Sequence, residues 1–260
     1  MASAKDLVVK PISSKDASAL VKRVHYSGKV VNNSQLHLGV FLDGRLEGAM
    51  QFGPSLDKRK MLGLVEGTSW NGFIELNRMA FSERLPRNSE SRAIAVAMRI
   101  IRKNYPQIEW VVSFADGTQC GDGTIYRASG FLLTAINPSL NLIRRGDGEV
   151  IHKMTLESNP TTPRPELGGR SYYQVTGGKY DLAAYARATN GEVITGYQLR
   201  YLYFVKPEAR QRLTVPVLPF SKIEEIGAGM YRGKARGKDQ ESEFPSGLGG
   251  ETPTPTLQSL

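Results

Sequence analysis

The chain has 260 residues, 40% of them apolar, and a formal net charge of +9. That is a globular composition with room for one large domain or two small ones, and its surplus of cations suits polyanionic partners. A single cysteine, Cys120, excludes an internal disulfide, and with only His25, His37 and His152 no zinc site of the usual Cys/His spacing can be written. The first residues hold no apolar run of signal-peptide length, and no stretch long enough to span a bilayer occurs. The reading is a cytoplasmic protein of a reducing compartment with no membrane partner.

Taken in chain order, SSKDASALVKRVHYSG predicts a helix. Ser13 or Ser14 can cap it, Ala17, Leu20, Val21 and Val24 form a stripe, and Gly28 stops it, leaving His25 and Tyr26 in or just past the last turn. LHLGVFLDGRLEGAMQFG predicts two strands joined at Asp43-Gly44, a pair that accepts the positive φ of a hairpin turn. FIELNRMAF alternates as a third strand. After the polar SERLPRNSES comes the helix SRAIAVAMRIIRKNY, with Ile94, Ala97, Met98 and Ile101 on one face, and then IEWVVSFAD, an apolar strand of the kind buried on both sides. Strand, long helix, strand predicts a parallel crossover, and the hairpin before it makes the sheet mixed.

Beyond Phe131, NLIRRGDGEVIHKMTL predicts a hairpin turning at Gly146-Asp147-Gly148, NPTTPRPELGG a connector, DLAAYARATNG a short helix and YQLRYLYFV a final strand. The expected fold class is α/β, or α+β: a single domain over residues 1–231 with a mixed central sheet flanked by helices. Its core spans about 1–155 and an extension about 156–231. Residues 232–260 have almost no apolar content and balance four basic against four acidic residues, so they are expected to be a disordered tail. The net charge lies ahead of them.

Two stretches carry chemistry. The helix start at PRNSESR sets backbone N–H groups beside Arg84, Arg87, Asn88, Ser89, Ser91 and Arg92, an arrangement suited to an anion, either a cofactor pyrophosphate or a DNA phosphate. Simple capping by Asn88 or Ser89 is the alternative, because no Walker-type or GxGxxG glycine pattern is present. The second stretch is SFADGTQCGDGTIYRASGF. Its Asp116 ends an apolar strand, where open sheets build sites, and Gly117, Gly121 and Gly123 allow close backbone approach. A solvated turn aspartate is the plainer explanation. Trp70, in EGTSWNGF, is a candidate base-stacking residue or a lid over the sheet edge.

YRASGF, following that strand, resembles the YxxxGF element of GNAT acyltransferases, in which a tyrosine faces the cofactor thiol; the usual Q/RxxGxG/A glycines are absent. HYSG at 25–28, ELNRMAF at 75–81, PRNSESR at 86–92 and the Asp116 stretch together resemble the phage Mom DNA-modification family. One departure is Cys120-Gly121-Asp122, where a Gly-His pair is expected. The resemblance implies a GNAT-like enzyme that converts adenine in DNA to its N6-carbamoylmethyl form, protecting phage DNA from restriction in the bacterial host. Carried over residue by residue, it points to His25, Tyr26, Arg78, Ser91, Asp116 and Tyr126 as catalytic. Arg87, Asn88, Ser89 and Arg92 become cofactor-binding candidates, and Arg84, Arg87 and Trp70 DNA-binding candidates.

An Arg facing a core must be paired, so Arg78 is expected against phosphate or Asp116. His25, Tyr26 and Asp116 form an N,O set that can hold Fe(II). The donor is unassigned, with an acetyl-CoA-like cofactor one candidate. The expected partner is double-stranded DNA with the adenine flipped out or the strand opened. Two other readings stand beside this one: an acetyl-CoA-dependent N-acetyltransferase acting on a small amine or protein, and a basic DNA-binding accessory protein.

Overall fold

The computed structural model describes residues 3–25, 28–117 and 122–228, together with the backbone of 230–231 and 234–235. Tyr26, Cys120, Gly121 and nearly all of the 232–260 tail lie outside the described residues. One eight-stranded sheet organises the chain, in the spatial order β1-β2-β3-β4-β5-β8-β6-β7. Its strands are β1 (Val8–Pro11), β2 (Leu36–Leu42), β3 (Arg45–Gly53), β4 (Phe73–Phe81), β5 (Trp110–Asp116), β6 (Leu132–Arg144), β7 (Val150–His152) and β8 (Glu192–Phe204). The helices that bear on the site are α1 (Ser14–Val24), α2 (Lys58–Leu62), α3 (Ser89–Asn104), α4 (Thr124–Ala128) and α5 (Lys153–Glu157). No helix among the described residues is long and apolar enough to cross a membrane.

The local chemistry of the N-terminal half acts as expected. Ser13 caps α1 by accepting the Asp16 N–H, and Ala17, Leu20 and Val21 are buried against Ala49 and Ala80. Asp43 and Gly44 take φ of 49° and 76°, the pair of left-handed residues that a two-residue hairpin turn demands. β4 and β5 are parallel and joined through α3, whose Ile94, Ala97, Met98 and Ile101 are buried. Each of the Ile and Met side chains contributes about 1.5–3 kcal/mol by leaving water. β1, which has no alternating pattern, adds a short edge strand ending in proline.

β8 is not a peripheral last strand. It is inserted antiparallel between β5 and β6, with Leu199, Tyr201 and Leu202 fully buried. The sheet therefore draws one of its central strands from beyond residue 155. A strap over residues 213–228 then wraps the molecule: Leu213 bridges to Val65, the Leu218 N–H reaches the Leu133 carbonyl, and Ile223 and Ala228 enter the core on the α3 side. Residues 143–186 contribute a small core of their own around Ile143, Leu156, Leu167, Tyr172 and Tyr185.

Strand parity assigns the two faces. Val111 and Ala115 of β5 and Leu199 and Tyr201 of β8 pack in the α3-side core, whereas Trp110 and Val112 of β5 and Leu202 of β8 pack in the core on the opposite side, where α1 also lies.

Candidate functional site

β4 and β5 pair only from Phe73 opposite Trp110 to Leu76 opposite Ser113. Beyond that point β4 stays hydrogen-bonded to β3 as far as Phe81, and β5 stays bonded to β8 as far as Asp116. Two strands that each keep their outer neighbour but part from each other leave a fork in the middle of the sheet. A bulge marks where it opens: Gln51 pairs with Arg78 and Phe52 with Leu76, so Asn77 is the extra residue. Bulges of this kind bend a strand and re-aim its side chains.

On the α3 side the fork is closed by Tyr126. Helix α4 starts at Gly123, whose φ of 73° and whose clearance from Tyr201, only 2.6 Å from any added Cβ, both require glycine. The Tyr126 ring lies 5.0 Å from Tyr201 and meets the edge of Phe131 at 5.3 Å. Ser113 Oγ, at the base of the fork, donates to Tyr126 Oη at 2.8 Å and stands 3.3 Å from the Leu76 carbonyl. The phenol is thus aimed at the point where the strands part.

On the α1 side the fork is polar. By parity Asp116 falls on this side, with Val112 and Phe114. Arg78 donates from Nε to the Lys29 carbonyl at 3.2 Å and from Nη1 to the Asn77 carbonyl at 2.9 Å. Of the two expected partners, phosphate or Asp116, the carboxylate is not the one that holds it: those two bonds go to backbone oxygens, because the 28–35 loop folds across β4 and presents its carbonyl. Burial, and next the Arg78 charge, push His25 down to about 4, so its ring is neutral near pH 7.

Two groups that the sequence reading passed over join them. Glu75, bonded to Ser55 and Asn77, has its carboxyl raised by burial despite those bonds and Arg78, the profile of a poised acid or base. His152 caps α5 by accepting the Met154 N–H on Nδ1 at 3.1 Å, which leaves the proton of the neutral ring on Nε2. Its pKa is lowered first by burial, while the nearby Asp116 charge opposes the shift. Lys29 bonds Thr155, pinning α5 to the loop that holds Arg78. The signal for Glu75 was a lone carboxylate in an apolar strand three residues before Arg78; His152 carried no local signal.

The remaining candidates spread out. Asn88 is the N-cap of α3 at φ 69° and makes no side-chain cap bond, so the capping alternative does not describe it. Ser89 is fully buried, with its hydroxyl donating to the Pro86 carbonyl. Ser91 Oγ bonds the Asn88 carbonyl at 3.2 Å in the first turn. Arg84 is exposed and pairs with Glu47 at 3.6 Å. Trp70 precedes β4, at the end of the strands away from Asp116, with Lys58 Nζ 4.6 Å from its ring centre. The six steps of β5 that separate those ends span roughly 20 Å, so Trp70 cannot stack on a base held at Asp116.

The model of the Mom protein family matches residues 6–222. The chain belongs to the Mom protein family. A curated relative, "Methylcarbamoylase mom" of Escherichia phage Mu, is 37% identical over 224 residues, covering 84% of this chain and 85% of that protein. Among solved structures, this Mom-family chain resembles a Bacillus subtilis acetyltransferase in complex with CoA, at 9% identity and a TM-score of 0.41 over 76% of this chain and 98% of that one. It likewise resembles the ribosomal-protein-S18-alanine N-acetyltransferase of Escherichia coli, at 10% identity and a TM-score of 0.39 over 76% and 94% of the two chains.

The Fe(II) set does not fit what is described of this Mom-family site. Among the described residues no group of three or more His, Cys, Asp or Glu side chains is placed to hold a metal ion. His25 has the Arg78 cation beside it, which disfavours a second cation there, and Tyr26 lies outside the described residues. At the start of α3 the Asn88 side chain makes no cap bond, and Arg87 and Arg92 stand close to it in sequence.

Proposed function

We propose that this chain is a phage DNA-modification transferase that places a carbamoylmethyl group on the N6 amine of adenine. Membership of the Mom family and the likeness to a methylcarbamoylase support the reaction class. The observation that carries the residue assignment is the fork, which sets a phenol on one side of the sheet and a polar cluster on the other around a single opening.

In this reading the adenine, flipped out of the duplex, enters from the α1 side. The N6 lone pair is delocalised into the ring, so N6 attacks well only as its proton leaves. Asp116 takes that proton as the new bond forms between N6 and the methylene carbon of the donor, and the carbon's bond to its leaving group breaks with the electron pair. Tyr126, reaching the base of the fork from the other side, donates a hydrogen bond to that leaving group. Arg78 and the neutral His25 hold the polar edge of the incoming base, and Glu75 is a second proton acceptor within the same cluster. An activated donor with a phosphate-bearing handle is anchored at the start of α3 by Arg87 and Arg92, with coenzyme A as the model for that handle. Arg84 and the other exposed cations meet the DNA backbone.

Nucleoside mass spectrometry of plasmid DNA from bacteria expressing the chain tests the proposal. Deoxyadenosine heavier by a carbamoylmethyl group is the expected result. Unmodified DNA in cells that contain folded protein would overturn it, and an acetylated small amine or protein in place of modified DNA would establish the acetyltransferase reading instead.

A further inference from the structure

Outside the cluster already described, an arginine, Arg200, stands in the middle of β8. Arg200 is only 9% exposed. Its Nε donates to Thr134 Oγ1 at 3.0 Å and its Nη2 to the Thr134 carbonyl at 3.2 Å. Thr134 is itself the extra residue of a bulge, since Leu133 pairs with Tyr201 and Ala135 with Arg200. Among the described residues, Thr134 supplies the only acceptors for this guanidinium and no carboxylate pairs with it. A guanidinium has five N–H groups, so three remain unshared.

None of its nitrogens is among the sealed atoms without a partner in the described residues, so the unshared N–H groups stay open to an incoming acceptor. A largely buried cation is most stable when an anion completes it. The position says what that is. Arg200 is the direct cross-strand partner of Phe114, and the next pair along is Gln198 with Asp116. Its parity matches Leu202, whose core lies on the α1 side, and opposes Leu199 and Tyr201. The guanidinium therefore sits on the same face as Asp116 and diagonal to it, a relation that puts side chains roughly 7–8 Å apart. An adenine held at Asp116 carries its own sugar and phosphates with it.

We infer that Arg200 is a phosphate-binding residue that receives a backbone phosphate beside the flipped nucleotide, with Thr134 setting its orientation. The inference rests on the DNA-modification reading. Arginine suits the task because its planar fork meets phosphate oxygens in pairs and keeps its charge when buried. A donor phosphate is the other source of the same chemistry. It is disfavoured here because the proposed donor anchor, the start of α3, belongs to the opposite face of the sheet from Arg200.

The test compares full-length wild type with Arg200→Met and Arg200→Gln in binding a short duplex of arbitrary sequence across a sodium chloride series. Melting temperatures of the free proteins are recorded alongside. Methionine removes the unpaired charge at similar volume, and glutamine keeps one donor for Thr134. Both variants are expected to melt at or above the wild-type temperature, and both should flatten the slope of log affinity against log salt by about one. Wild-type slopes in variants that fold would overturn the assignment to Arg200 while leaving the DNA reading intact. Loss of folding in both variants would make the guanidinium a structural tie and overturn it equally. Weaker coenzyme A binding with an unchanged DNA slope would reassign it to the donor. Absence of DNA binding by the wild type would bring down the DNA reading and this inference together.

Discussion

The two sides of the fork are built on different principles. On the α3 side Tyr126 is clamped between Tyr201 and Phe131, its hydroxyl accepts from Ser113 of β5, and the rings around it are part of an apolar core. On the α1 side Glu75, Arg78, His25, Lys29, Asp116 and His152 come from five separate segments and act on one another's charge. A rigid aromatic wall positions, and a mobile proton needs groups with tuned and opposed charge. One gap between two strands supplies both, because parity sends neighbouring residues of β5 to opposite faces.

That contrast breaks most sharply at its two ends. Asp116→Asn removes the charge and keeps the shape, and Tyr126→Phe removes one oxygen from a ring that remains packed. Both should lower adenine modification about a hundredfold or more with melting temperature and DNA affinity nearly unchanged. Quantifying modified deoxyadenosine in vitro checks this. If only Asp116→Asn loses activity, the α3 side is a wall and nothing more.

A smaller effect separates scaffold from chemistry at His152. His152→Ala removes the α5 cap, costing about 1 kcal/mol, whereas His152→Asn restores a capping acceptor and withholds the imidazole from Asp116. Both should lower kcat, roughly tenfold, with only the alanine variant melting earlier. Activity rescued by asparagine would confine His152 to capping.

His25 should show itself in stability before activity. Its folded pKa of about 4 lies below the ordinary 6.5, so between those values the unfolded chain binds the extra proton. The stabilisation is complete above pH 6.5 and is lost as pH falls toward 4, a contribution on the order of 3 kcal/mol. Urea titrations at a series of pH values should show this slope in the wild type and a flatter one in His25→Gln. The smallest effect belongs to Trp70: Trp70→Ala should leave modification unchanged, since it sits at the far end of the strands. A large loss there would mean that the DNA path runs the length of the sheet.

Much of this was legible in the order of residues. The cap at Ser13, the Asp43-Gly44 turn, the α3 stripe and the strand ending in Asp116 are set by interactions within a few residues, where periodicity and turn chemistry act directly. So was the neighbourhood of Asp116 and Tyr126, since the strand, the glycine-rich loop and α4 follow one another in the chain. Local patterns set the identity of these elements and the face each side chain would take. The tertiary structure decided which elements meet. It slid β8 between β5 and β6, which put Arg200 beside Asp116. It folded α5 back so that His152 faces a strand-end carboxylate far away in sequence, gave Arg78 to the carbonyl of Lys29, and left Trp70 at the opposite end from the site it was expected to serve. Strand order and loop crossings depend on long-range pairing and on burial shared among all eight strands, and no local pattern in one segment encodes the partner that another segment will bring.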